Sequence, residues 1–151
     1  MTRNAGEPSP PGRRPRFVYL LNVAQRRVQG AIHGGVEGKT AARAGVLMAL
    51  RPDGGAVPMK QLGVRLDLGA SSLSGLLDRM ERDGLIERRS DPDDKRAWGI
   101  VLTDTGRVLR GEAVRSARIL NDRLCEGFDD AELATVARWL EAVTTEFPKE
   151  N

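Results

Sequence analysis

The side chains best suited to a chemical role in this sequence are arginines and serines. Arg accounts for 20 of the 24 basic residues, and its planar guanidinium matches phosphate oxygens and base edges with several donors at once. Three serines, Ser71, Ser72 and Ser74, cluster just after Gly69. Hydroxyl and guanidinium groups bind polyanions by hydrogen bonding rather than by bond-making chemistry, although a GC-rich genome alone would also produce an excess of Arg.

Sets of residues for catalysis or metal binding do not occur in the sequence. With His33 the only His and Cys125 the only Cys, no His pair for a transition metal and no internal disulfide can form. Asp91, Asp93 and Asp94 crowd one loop without the Gly and Glu spacing of a calcium loop. We expect a protein that is not an enzyme and has no cofactor or metal. The lone Cys is interpreted as a small apolar core residue, with redox sensing as the alternative.

Two short helices are predicted to position the serines. Residues 59–66 and 70–83 carry apolar residues at helical spacing and are joined by the tight connector 67–69, which gives the proportions of a helix-turn-helix. After Gly84 the period changes, and residues 85–88 and 98–102 read as two strands around a polar turn. A β-hairpin directly after a helix-turn-helix predicts a winged helix.

Helical apolar stripes make up most of the remaining chain. One runs from Phe17, a second follows Thr40, and two more follow the capping residues Thr103 and Asp129. The predicted fold class is mainly α with a small β-hairpin, a winged helix-turn-helix with an all-helical dimerisation region. The predicted segments are a disordered basic tail at 1–16 and one unit at 17–151, divided into 17–51, 55–103 and 104–149.

The charge is distributed unevenly along the chain. Residues 1–103 hold 17 Lys and Arg against 11 Asp and Glu, whereas residues 104–151 hold 7 against 10. A basic front favours a polyanion partner, with solvated helix faces as the alternative. No apolar run approaches the roughly 20 residues that span a bilayer, and Met1–Arg16 lacks the apolar stretch of a secretory signal. We therefore expect a cytoplasmic protein that does not bind a membrane.

Several of these segments resemble the MarR (multiple antibiotic resistance regulator) family over about residues 17–147. The similarity to its wing is carried by Leu85-Ile86, Asp94-Lys95-Arg96-Ala97 and Leu102-Thr103-Asp104-Thr105-Gly106. Thr40-Ala41-Ala42-Arg43 is similar to the second helix of the family, and Leu73 to Glu81 resembles its recognition helix. The resemblance implies a homodimeric bacterial transcription regulator, commonly released from DNA by a small aromatic or phenolic effector.

We expect double-stranded DNA to be bound at two places. At the N-terminus of the second short helix, the free backbone amides and the positive end of the helix dipole favour phosphate. At the hairpin, a guanidinium group can enter a narrow minor groove. The alternatives are N-capping by Ser71, a solvent salt bridge at Arg79 and a surface pair between Asp94 and Arg96. The candidate DNA-binding residues are Ser71, Ser72, Ser74, Arg79, Arg88, Arg89, Asp94, Lys95 and Arg96.

Two features bear on specificity and control. Gly75 stands where members of the family often carry Arg, which weakens direct base readout and supports an alternative function, a winged-helix protein-interaction module with little DNA binding of its own. From the resemblance, Arg43, Met48 and Trp98 are candidates to line an effector pocket, with core packing as the alternative for Met48 and Trp98. A homodimer predicts a pseudo-palindromic operator with half-sites about 10 bp apart.

Overall fold

The computed structural model describes residues 15–33, 41–90 and 98–147. The chain divides into two compact units, residues 1–39 and residues 40–151. Thr40, after which the second apolar stripe begins, and most of the predicted tail lie outside the described residues.

Helix α1, Phe17–His33, is the described part of the first unit. It begins where predicted, and the backbone amide of Leu20 donates to the carbonyl oxygen of Arg16 in its first turn. The Arg16 guanidinium carbon lies 4.6 Å from the centre of the Tyr19 ring, a cation–π contact. Val18 and several neighbouring apolar side chains of this helix are exposed.

The second unit begins with three helices that enclose its core. These are α2 (Ala41–Ala49), α3 (Met59–Leu66) and α4 (Ala70–Arg82), and the predicted helix-turn-helix is formed by α3 and α4. Asp67 closes α3 in the left-handed conformation, with φ 52°. The buried core residues are Val46, Leu47, Leu50, Val57, Leu62, Leu73, Leu76, Leu77, Met80, Leu85, Ile86, Ile100, Val101 and Leu102.

The second unit also contains a three-stranded antiparallel sheet with the strand order β1-β3-β2. Strands β2 (Ile86–Ser90) and β3 (Trp98–Leu102) form the predicted hairpin, in which Ile86 pairs with Leu102 and Ser90 with Trp98. Strand β1, Val57–Pro58, pairs with β3 and was not predicted, because two residues are too short to show alternation.

Two further helices complete the chain, α5 (Asp104–Cys125) and α6 (Asp130–Glu146). Both predicted caps are confirmed: the Thr103 hydroxyl accepts from the amide of Gly106, and Asp129 forms a reciprocal capping box with Glu132. The start of α5 packs on the core through Leu109, and Cys125 at its other end is half-buried. Farther along, Phe128 and Val136 are exposed.

Hydrogen bonds to backbone carbonyl oxygens join the segment after α4 to the start of α5. The Thr103 hydroxyl donates to the carbonyl oxygen of Gly84 at 2.7 Å, and the Thr103 amide donates to the carbonyl oxygen of Leu85 at 3.1 Å. A Cβ atom on Gly106 would lie 1.9 Å from that same Leu85 oxygen. Only glycine at position 106 therefore allows α5 to approach the strand this closely.

We expect Gly106→Ala to lower the free energy of unfolding by about 1–3 kcal/mol, because the added carbon forces α5 away from Leu85. Gly111→Ala is the matched control in the same helix, since its Cβ would meet only Arg115 Nη1, at 3.6 Å. That control should gain up to about 1 kcal/mol from the better helix propensity of Ala. Urea unfolding followed by circular dichroism measures both, and equal effects of the two substitutions would contradict the close contact.

Candidate nucleic-acid interface

Helix α4 presents a buried apolar face to the core and a polar face to solvent. Its inner face is formed by Leu73, Leu76, Leu77 and Met80, at the spacing of one helical stripe. Gly69 is its N-cap and offers no side-chain hydrogen bond to the first turn. The orphan amides of this helix end are thus left for solvent or for an external acceptor such as a phosphate oxygen.

The three serines lie on the first turns of α4, as the sequence predicts. Ser71 and Ser72 are exposed, and Ser74 is half-buried. None of the three hydroxyls hydrogen-bonds to another described residue, so the capping role considered for Ser71 is not adopted. The hydroxyls of Ser71 and Ser72 are available to an external partner.

Arg79 lies exposed on α4 and extends back toward the helix N-terminus. One of its guanidinium nitrogens, Nη1, lies 3.7 Å from the position that a Cβ on Gly75 would occupy. The missing side chain at Gly75 therefore leaves room for a cation one turn away. Arg82 is also exposed and was not among the predicted residues. Its i, i+3 spacing from Arg79 places both arginines on the same face of the helix and could have indicated it. Neither arginine forms an ion pair with a described residue.

The acidic residues of α4 are bound by arginines from other elements. Arg88 of β2 donates from Nη2 to Asp78 Oδ1 at 2.5 Å and from Nη1 to Glu81 Oε2. Its backbone amide donates to Glu81 Oε1 at 3.2 Å. These partners, the Asp78 hydrogen bond foremost, raise the pKa of Arg88. Sequence analysis did not find this pairing, because the acids and Arg88 lie on different elements.

A second arginine binds the C-cap of α4. Arg43 of α2 forms an ion pair with Asp83, the C-cap residue of the helix. Two arginines of the scaffold thus pair with the three carboxylates of Asp78, Glu81 and Asp83, which leaves one negative charge. Beside these partly exposed carboxylates, the helix presents to solvent the hydroxyls of Ser71 and Ser72 and the guanidinium groups of Arg79 and Arg82, which pair with no described carboxylate. These groups suit a polyanion.

The predicted DNA-binding residues of the hairpin fall into three groups. Arg88 is only 26 % exposed and is held between two carboxylates, whereas Arg89 is 61 % exposed and pairs with Glu87 of its own strand at 3.2 Å. Asp94, Lys95 and Arg96 lie outside the described residues. The paired residues that flank them along the chain, Ser90 and Trp98, are described and close the hairpin ladder.

The candidates for an effector pocket lie on α2 and at the start of β3. Arg43 is bound to Asp83, Met48 is half-buried on α2, and Trp98, the first residue of β3, is 55 % exposed. An open depression occurs along Pro15–Tyr19, and it contains none of the three candidates.

Other kinds of site find little support in the described part of the chain. Residues 15–33, 41–90 and 98–147 contain no group of three or more His, Cys, Asp or Glu side chains arranged to hold a metal ion. Within the same ranges, no helix has the length and apolar character needed to cross a membrane.

Comparison with known proteins finds similarity to one family over part of the chain. A family model described as MarR family matches residues 38–97. The transcriptional regulator TtmR of Methylorubrum extorquens is 40 % identical over 67 residues, which cover 44 % of this chain and only 34 % of that protein. The multiple antibiotic resistance protein MarR of Salmonella typhimurium is 29 % identical over 130 residues, covering 85 % of this chain and 88 % of its own length.

Solved structures agree with this assignment along most of the chain. The transcriptional repressor CouR bound to a 23-mer DNA duplex superimposes with a TM-score of 0.73 at 26 % identity, over 85 % of this chain and 92 % of its own. CouR from Rhodococcus jostii RHA1 bound to p-coumaroyl-CoA gives a TM-score of 0.77 at 26 % identity, over 90 % and 95 % of the two chains. The winged helix, its Gly84-Leu85 and Thr103–Gly106 contacts and these similarities together support a MarR family regulator.

Proposed function

We propose that this protein is a sequence-specific DNA-binding transcriptional regulator and not an enzyme. One observation carries the proposal: α4 exposes serine hydroxyls and two arginines while the neighbouring acids Asp78, Glu81 and Asp83 are bound by arginines of the scaffold. The major groove of B-DNA is wide enough to admit a helix, and hydroxyl and guanidinium groups bind phosphates and base edges. We therefore assign α4 as the recognition helix and the β2–β3 hairpin as the wing.

The relatives support this assignment. TtmR is named as a transcriptional regulator, MarR is named as a multiple antibiotic resistance protein, and CouR, named as a transcriptional repressor, has been solved on a DNA duplex with a fold that matches this chain. A regulator of bacterial chromosomal DNA acts in the cytoplasm. The position of Gly75 does not favour the alternative of a protein-interaction module, because the guanidinium of Arg79 lies close to that position.

A homodimer on a pseudo-palindromic operator is part of the proposal. The chain exposes apolar side chains on α1 and on α6, among them Val18 at 78 % and Val136 at 51 %. Exposed apolar faces of this kind are commonly covered by a second copy, and two-fold symmetry is the usual arrangement.

We further propose that a small aromatic or phenolic effector relieves repression, as the complex of CouR with p-coumaroyl-CoA suggests by similarity. A thermal-shift screen of small aromatic acids and their thioesters tests this part. A ligand that raises the melting temperature and also releases DNA supports it, whereas a ligand that stabilises the protein without releasing DNA argues against relief of repression.

Affinity for DNA is expected to fall steeply with salt. Genomic fragments retained on the purified protein supply the operator, and fluorescence anisotropy measures its dissociation constant. A protein that contacts six or more phosphates loses roughly a thousand-fold in affinity between about 50 and 200 mM salt, because condensed counterions are released on binding. Absent or salt-insensitive binding would favour the protein-interaction module instead.

Arg96→Ala is expected to weaken operator binding about ten-fold or more while leaving the fold intact, since a charge-assisted contact in the groove is lost. Arg138→Ala is the matched control, because Arg138 is an exposed arginine of α6, far along the chain from the recognition helix. Both are measured by gel shift at fixed salt, with circular dichroism as a check on folding. Equal affinities for the two variants would remove Arg96 from the interface.

The footprint of the wild-type protein should show two symmetric half-sites about 10 bp apart, one helical turn, because a two-fold dimer presents two recognition helices to one face of the duplex. Hydroxyl-radical footprinting measures the spacing, and analytical ultracentrifugation measures the mass of the free protein. A single unsymmetrical half-site with a monomeric mass would refute the dimer.

A further inference from the structure

The contacts of Arg88 join the recognition helix α4 to strand β2 of the wing. We propose that Arg88 is a positioning residue that fixes the wing relative to the recognition helix, and not a phosphate contact. This inference rests on the proposed DNA-binding function and names the residues that set its geometry: Arg88, Asp78 and Glu81.

The geometry uses the full fork of the guanidinium. Asp78 and Glu81 are three residues apart on one face of α4, and Arg88 bonds each of them with a different terminal nitrogen. The backbone amide of Arg88 adds a third bond, to Glu81 Oε1. A bridge of this kind fixes distance and orientation together, which a single ammonium group does not do.

The same contacts make Arg88 a poor ligand for phosphate. Both of its terminal nitrogens are engaged by carboxylates, and only 26 % of its side chain is exposed. One guanidinium between two carboxylates leaves a local charge of −1, which repels a phosphate rather than attracting it. Arg88 therefore differs from Arg79, whose guanidinium has no carboxylate partner among the described residues.

The bridge from Arg88 to Asp78 and Glu81 restricts the orientation of β2 relative to α4. Apart from this bridge, α4 and β2 are held at their junction by the hydrogen bonds of Thr103 to the carbonyl oxygens of Gly84 and Leu85, and beyond the junction by apolar packing within the core cluster. Apolar packing is non-directional, so it permits small rotations of the hairpin against the helix. DNA is contacted by both elements at once only if their relative orientation is fixed, and misplacement by about 1 Å breaks hydrogen bonds.

A neighbouring pair on the same strand provides a natural comparison. Arg89 and Glu87 also form an ion pair, but both residues belong to β2 and both are more than half exposed, at 61 % and 55 %. This pair cannot fix β2 relative to α4. Glu87→Gln therefore removes a negative charge from the wing without touching the bridge.

The decisive experiment compares Asp78→Asn/Glu81→Gln with Glu87→Gln on the operator duplex at fixed salt. Removal of two negative charges beside DNA would by electrostatics alone strengthen binding. Positioning predicts the opposite sign for the double variant, a loss of about ten-fold or more, comparable to losing the wing contacts. The control variant should bind as tightly as the wild type or more tightly. A double variant that binds as well as or better than the wild type overturns the inference.

Arg88→Lys provides the second arm and keeps the positive charge. A lysine retains much of a phosphate contact but cannot bridge both carboxylates. We expect this variant to bind DNA as weakly as the double variant, to unfold at a temperature well above that of the assay, and to lose hydroxyl-radical protection at the outer edges of the half-sites while keeping it at their centres. Near wild-type affinity or an unchanged footprint overturns the inference.

A double-mutant cycle separates positioning from direct contact. Arg88→Met should cost little more in the Asp78→Asn/Glu81→Gln background, because the bridge is already absent there. An equal loss in both backgrounds would identify Arg88 as a phosphate contact and overturn the inference. If the wild type binds no DNA, the proposed function itself fails; if the wild type binds and these variants behave like it, only the inference fails.

Discussion

The structure depends on the contact between the backbone after α4 and the first turn of α5. The carbonyl oxygens of Gly84 and Leu85 both accept hydrogen bonds from Thr103, and Gly106 packs against the oxygen of Leu85. This contact fixes the end of the recognition helix, the start of β2, the end of β3 and the start of α5 at one point. Two of the sequence motifs that carry the family resemblance, Leu85-Ile86 and Leu102–Gly106, thus meet at a single junction.

Charge pairing then determines which surface of the winged helix faces a polyanion. Asp78, Glu81 and Asp83 would repel DNA if they were free, yet each is paired with an arginine from another element. The paired cations come from α2 and β2, so the arginines of α4 itself stay available. The modest formal net charge of +3 therefore understates how favourable the exposed surface of α4 is for DNA.

Periodicity and capping chemistry predicted the elements well, whereas side-chain pairing across elements was not predictable. Residues 59–66 were assigned as a helix with their exact bounds, and the caps at Thr103 and Asp129 are as expected, since each depends on a few adjacent residues. Strand β1 was missed because it is defined by its pairing with β3. Arg88 was assigned to phosphate because its acidic partners come from a different element.

The absence of a side chain at Gly75 makes the orientation of the wing relative to α4 more important for DNA binding. In the proposed complex, α4 has no side chain at this position and contacts DNA through short hydroxyls and through arginines one or more turns away, which favours backbone contacts and groove shape over paired hydrogen bonds to single bases. Recognition by shape depends on several contacts along the groove being made together. A recognition helix of this composition therefore relies on a wing held at a fixed angle, and the bridge from Arg88 to Asp78 and Glu81 supplies that constraint.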